Sequence, residues 1–133
     1  MNPQMKTDRI DRNAATAISE RIIGCAFTVA NTLGVGFFEK VYENALAYEL
    51  RKAGLAVSQQ HGISVMYDGH IVGSYAADML IENMVLVELK AVAALDSVHK
   101  AQCLNYLKAT GMPLCLLLNF GRPRLEVRRL IWG

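Results

Sequence analysis

The apolar positions change period several times along the chain, and each change marks a predicted element. Ile18, Ile22, Cys25, Val29 and Leu33 recur at helical spacing with Gly34 as a stop, which predicts a first helix over residues 13–33. A second helix is predicted over 38–53, closed by Gly54. The stretch AVSQQHGISVMYDGHIVGSYAADML reads as two strands joined at Asp68-Gly69, a dipeptide suited to the left-handed positions of a type I′ hairpin turn. A third strand follows across Glu82-Asn83. Residues 96–110 form another helix, with Asp96 or Ser97 as N-cap and Gly111 past its end. PLCLLLNF is a short apolar strand of the kind buried on both faces, and 125–131 adds an edge strand rich in Arg. The predicted order is ααβββαββ, an α/β chain.

At 133 residues and 53% hydrophobic, the chain is long enough for one compact domain and too short for two ordinary ones. A loose N-terminus over 1–12 and a single domain over 13–133 are expected. The formal net charge is +2, so nucleic-acid affinity has to come from local basic groups and metal ions rather than a global field. Arg122, Arg124, Arg128 and Arg129 are the obvious basic group, and they serve equally to keep an edge strand soluble. Cys25, Cys103 and Cys115 are far apart and lack zinc-site spacing, so they read as small core residues in a reducing compartment. The polar start MNPQMKTDRIDRN lacks a secretory signal, and no apolar run approaches the roughly 18 residues of a membrane span. A cytoplasmic protein without membrane contact is expected.

Against that background the charges in YAADMLIENMVLVELKA, residues 75–91, stand out. Glu88 and Lys90 are two apart, so on a strand they share a face, while Val87 and Leu89 point to the other. Asp78 joins them from the neighbouring antiparallel strand only if the connecting loop has an odd length, such as Glu82-Asn83-Met84. A two-residue loop would set Asp78 opposite Val87. With the odd loop, two carboxylates and an ammonium converge, and acids that close repel unless a cation lies between them. The alternative is a solvated hairpin with a surface Glu88–Lys90 pair.

The second helix offers further carboxylates. On a helical wheel Phe38, Val41, Tyr42, Ala45, Leu46, Leu50 and Ala53 form the apolar face, with Glu39 inside its edge and Glu49 also on it. Both acids point inward, and geometry alone does not choose between them.

Gly36-Phe-Phe-Glu39-Lys-Val-Tyr42 resembles the signature of the GxxExxY proteins, and VELKA, VHKAQCLNYLKATG and LLLNFG extend that likeness over nearly the whole chain after the first dozen residues. GxxExxY proteins resemble small members of the PD-(D/E)XK nuclease superfamily. The resemblance implies a restriction-endonuclease-like core, with a central mixed β-sheet flanked by helices and a site for Mg²⁺ or Mn²⁺. It makes Glu39 the helical acid, Asp78 the acid of the first motif strand, and Glu88 and Lys90 the ExK pair, with the backbone carbonyl of Leu89 as a further metal ligand. Gly36 and Tyr42 become structural motif residues. Ala77 stands where the motif usually has Pro, and Ala76 where relatives often carry a basic residue. Gln102 and Tyr106 resemble the QxxxY element of the RecB-type exonuclease branch. They share a helix face with His99, which makes all three candidates for substrate binding. The four-cysteine iron–sulfur cluster of some branch members is not expected with three cysteines. The function implied is metal-dependent hydrolysis of phosphodiesters, DNA more than RNA. The alternative is a catalytically idle nucleic-acid or protein binding module on the same fold. A homodimer through the apolar first helix is a further expectation.

Overall fold

The computed structural model describes residues 3–133, with side chains from residue 12 onward. Helices α1 (Pro3–Leu33) and α2 (Glu39–Lys52) are followed by strands β1 (Val57–Tyr67), β2 (His70–Ile81) and β3 (Val85–Lys90). Helix α3 (Ser97–Thr110) and strands β4 (Leu114–Asn119) and β5 (Glu126–Leu130) complete the chain. The order is the ααβββαββ read from the periodicity. Helix α1 begins at Pro3, well before residue 13, and of the stretch 1–12 expected to be loose, residues 1–2 lie outside the described residues.

The five strands lie in the order β1-β2-β3-β4-β5, and all neighbours are antiparallel except the parallel pair β3–β4. A parallel pair needs a crossover. Helix α3 supplies it, capped at one end by Asp96, which accepts from the Val98 and His99 amides, and at the other by Gly111 in the left-handed region. The hairpin turn holds Asp68 and Gly69 at φ 50° and 78°, the two left-handed positions that a type I′ turn requires.

Side-chain alternation sorts the core into two layers. Met79, Ile81, Val87, Leu89, Leu116 and Leu118 face α1 and α2, while Leu80, Leu86, Cys115 and Leu117 face α3. All six residues of β4 are buried, as expected for a strand covered on both faces. Cys103 and Cys115 are buried in the layer under α3, and Cys25 is half-buried on α1. Among the described residues no helix is long and apolar enough to cross a membrane.

The buried face of α2 is rotated from the one the helical wheel predicted. Its buried residues are Tyr42, Glu43, Leu46, Ala47 and Leu50, whereas Phe38 is 87% exposed and Val41 is also exposed. Phe38 is the N-cap, with extended backbone, so helical periodicity does not govern where its side chain points.

Candidate active site

The site forms where the sheet is interrupted. Along β1–β2 the ladder pairs Gln59 with Met79 and His61 with Ala77 but skips Gln60 opposite Asp78. Gln60 sits at φ 54°, in the left-handed region that costs a non-glycine residue roughly 1 kcal/mol or more. Facing is also broken there, because Ala77 packs under α3 while Met79, two residues on, packs under α1 and α2. On the other side of β2 the pairs Ile81–Val85, Leu80–Leu86 and Met79–Val87 span the three-residue loop 82–84. The same register sets Asp78 opposite Glu88, but no ladder bond joins them. Their carboxylates replace it: Glu88 Oε1 accepts from the Asp78 amide at 2.9 Å, and Asp78 Oδ2 accepts from the Leu89 amide at 2.8 Å.

This exchange draws both acids into the protein. Glu88 is 4% exposed, and burial, then the charge of Asp78, push its carboxyl up to about 8, against the pull of the Asp78 amide and Lys90. Burial also raises the Asp78 pKa. The Leu89 amide, Gln60 and Lys90 oppose that rise, and the charge of Glu43 adds to it. The pair is thus short of positive charge.

The loop between α1 and α2 fixes what α2 brings. Gly36 adopts φ 110°, which favours glycine, and the Tyr42 hydroxyl donates to the Gly34 carbonyl at 2.6 Å while accepting from the Phe37 amide at 3.3 Å. The Tyr42 ring stacks on Phe120 at 4.8 Å. Gly36 and Tyr42 therefore anchor the start of α2, where Glu39 stands exposed, close enough for its charge to raise the Glu88 pKa. Glu49 is half-buried and pairs with Lys52 at 3.7 Å, remote from these contacts.

The acid that sequence reasoning missed is Glu43, one turn after Glu39 and only 3% exposed. It accepts from Lys40 at 3.0 Å, Gln59 at 2.7 Å and Gln60 at 2.8 Å. The same Gln60 amide donates to Asp78 Oδ1 at 3.3 Å and so ties the α2 acid to the strand acid. The i, i+4 spacing from Glu39 and the Gln59-Gln60 pair were the available signals.

Gln60 holds its strained backbone for the sake of this bridge, which leads to a prediction. Gln60→Gly should be more stable than Gln60→Ala by about 1 kcal/mol, because both lose the bridge and only Gly relieves the strain. Melting of the two variants checks this, and equal stabilities would show that the left-handed backbone is not strained.

The remaining candidates divide between the cleft and other tasks. Lys90 shares the Glu88 face of β3 and lies in no ion pair among the described residues, although its charge lowers both acids. The next residues are clamped by buried Asn119, which accepts from the Val92 amide at 3.0 Å and donates to the Val92 carbonyl at 2.9 Å. That clamp, in the LLLNFG stretch, fixes the chain leaving Lys90. On α3, Gln102 donates to the Tyr106 hydroxyl at 3.0 Å. Tyr106 is buried, and its pKa is pushed up to about 12 by burial and then by the charges of Glu88 and Asp78. His99 Nδ1 accepts from the Asp96 amide at 3.2 Å and completes a capping box, which commits that nitrogen to the helix start. The Leu89 side chain is buried on the opposite face, and only its backbone reaches Asp78.

Among the described residues no three of the Asp, Glu, His and Cys side chains close on a common point as a ready cage. The chemistry of the donors nevertheless fits a hard divalent cation. Asp78 and Glu88 offer only oxygen donors, poorly solvated and mutually repelling when both are ionised, each with one oxygen not committed to a backbone amide.

No curated protein matches the chain. Among solved structures, an alkaline exonuclease from Laribacter hongkongensis is similar at TM-score 0.52 and 15% identity, over 71% of this chain and 56% of that one. The protein SSO0001 is similar at TM-score 0.53 and 16% identity, over 71% and 50%. The chain spans about half the length of these two structures, which at such identities share its fold. The family model of the PD-(D/E)XK nuclease superfamily matches residues 16–130. The broken sheet with its paired acids is set in a chain that belongs to the PD-(D/E)XK nuclease superfamily.

Proposed function

We propose that the protein is a divalent-metal-dependent nuclease that hydrolyses phosphodiester bonds, of DNA more than of RNA, at the cleft between Asp78, Glu88 and α3. The observation that carries this is the reciprocal bonding of Asp78 and Glu88, which holds two desolvated carboxylates together with a raised pKa at the break in the sheet. Within the superfamily, Gly36, Glu39 and Tyr42 favour the GxxExxY proteins, and Gln102 and Tyr106 the QxxxY exonuclease branch. A nucleic-acid substrate also suits a fold shared with an alkaline exonuclease. Three free cysteines, two of them buried, suit a reducing, cytoplasmic setting.

Asp78 and Glu88, with Glu39 from α2 and the Leu89 carbonyl, would hold Mg²⁺ or Mn²⁺. The bound ion would lower the pKa of water and neutralise charge on the phosphoryl oxygens. Glu43 and Gln60 keep Asp78 oriented from behind. Lys90 Nζ, in no ion pair among the described residues, orients the attacking water and offsets negative charge as it builds at phosphorus. The Tyr106 hydroxyl, presented by Gln102, donates to the phosphate backbone. His99 can contribute through Nε2 alone.

The test is incubation of single- and double-stranded DNA and RNA with the protein in Mg²⁺, Mn²⁺ or EDTA. Cleavage in metal, absent in EDTA and faster on DNA, is expected. Binding without cleavage in any metal would favour the idle binding module, to which the absence of a ready three-acid cage among the described residues lends support.

The Tyr106 hydroxyl has Gln102 as its hydrogen-bond partner, so Tyr106→Phe should cost less than about 1 kcal/mol in stability. Cleavage should fall by about 10- to 100-fold. A large drop in melting temperature with unchanged cleavage would make the hydroxyl structural.

A further inference from the structure

Strand β2 pairs with β3 only over Met79–Ile81, so the rest of the β1–β2 hairpin projects past the sheet as a two-stranded ribbon. Its face turned to α3 is not packed shut. Between them runs a groove of about 730 Å³, with Met66, Val72 and Tyr75 on the hairpin wall and Gln102, Asn105 and Tyr106 on the helix wall. Tyr75 is 55% exposed, and its ring lies 5.9 Å from that of Tyr106. Met66 and Val72 are also largely exposed. Lys108 lines the groove as well, its ammonium held 4.5 Å over the Trp132 ring.

Two features decide what fits. Tyr106 lines the groove, and its hydroxyl feels the charges of Glu88 and Asp78, so an occupant of the groove extends on the side of α3 towards whatever the acids act on. Its walls combine an exposed aromatic face, apolar side chains, two side-chain amides and a cation. Aromatic faces stack on bases, amides bond to base edges, and a cation suits a phosphate. Within a duplex both faces of each base are covered by neighbours, so away from the ends only an unpaired base can present one to Tyr75. A peptide would fit less well, since the aromatic face and the amides of the groove walls suit flat, hydrogen-bonding rings better than an apolar side chain.

We propose that this groove is a subsite for unpaired nucleobases next to the scissile phosphate, with Tyr75 as the stacking platform, so that the protein takes single-stranded nucleic acid or a single-stranded end. The proposal rests on the nuclease function above and adds the strand form and the residue that selects it.

Fluorescence anisotropy of labelled oligonucleotides in EDTA tests binding apart from turnover. The wild type should bind a single strand more tightly than a blunt duplex of the same sequence. Tyr75→Ala should weaken single-strand binding by roughly tenfold and leave duplex binding unchanged, and Tyr75→Trp should restore it. Equal losses on both forms, or no loss on the single strand, would overturn the assignment even if Mn²⁺-dependent cleavage persists. Absence of both oligonucleotide binding and cleavage in the wild type would instead remove the nuclease function on which the proposal stands. Because Tyr75 is largely exposed, the melting temperature of the Ala variant should stay close to that of the parent, which keeps the binding comparison interpretable.

Discussion

Asp78→Asn should leave the metal-free protein as stable as the parent or more stable, while divalent-metal affinity and cleavage fall by orders of magnitude. The Asn carbonyl can still accept from the Leu89 amide, so the bond that replaces the ladder survives. What disappears is a desolvated negative charge, the strongest push on Glu88 after burial. Removing it relieves repulsion in the apo protein, and active-site acids of this kind commonly exchange stability for function. In the parent, Mn²⁺ at about 100 times its Kd should add about 2.7 kcal/mol, a rise in melting temperature on the order of 10 °C. The variant should gain almost none of it. Melts of both proteins with EDTA and with Mn²⁺ make the comparison, and an equal rise in both would place the metal elsewhere.

The second large effect is on pH. The Glu88 carboxyl rises from 4.5 to about 8 on folding, so between those values the folded state holds a proton that the unfolded chain has released. With more protons bound in the native state, stability falls as pH rises through that window. The penalty is absent below 4.5, complete above about 8, and at most roughly 5 kcal/mol. Asp78 is shifted in the same direction and adds to it. Glu88→Gln keeps an acceptor for the Asp78 amide and cannot ionise, so it should flatten the metal-free stability curve between pH 5 and pH 8. In the parent, excess Mn²⁺ should flatten it too, because the ion displaces the proton and supplies the missing positive charge. Unfolding followed across this range in EDTA gives the slope. A curve that rises with pH in the parent would contradict a buried, proton-holding Glu88.

What could be read from the sequence was local. Asp68-Gly69 specified its turn, and parity along the strands either side of 82–84 left two registers open, of which the three-residue loop, the one that brings Asp78 beside Glu88, is the one formed. The rest depended on partners distant in sequence. Glu43 reads as a surface residue until Gln59 and Gln60 arrive from β1 to bond it, and a helical wheel has no means of anticipating donors from another element. The wheel also counted Phe38 as helical, which turned the predicted face of α2 away from Glu43. Asn119 lies hidden in an apolar run, and only its bonds to both sides of Val92 reveal a clamp on the chain after Lys90. His99 shared a helix line with Gln102 and Tyr106, yet the capping box with Asp96 is a shorter-range interaction and takes one of its nitrogens.

The most direct measurement is anomalous diffraction from crystals soaked in Mn²⁺, which locates the ion without reference to activity. Asp78 and Glu88 should both contribute an oxygen to one anomalous peak, with Glu39 drawn in from α2, and the peak should vanish in Asp78→Asn. A peak held by other residues, or none at Mn²⁺ concentrations that support cleavage, would contradict a metal-activated site at the break in the sheet.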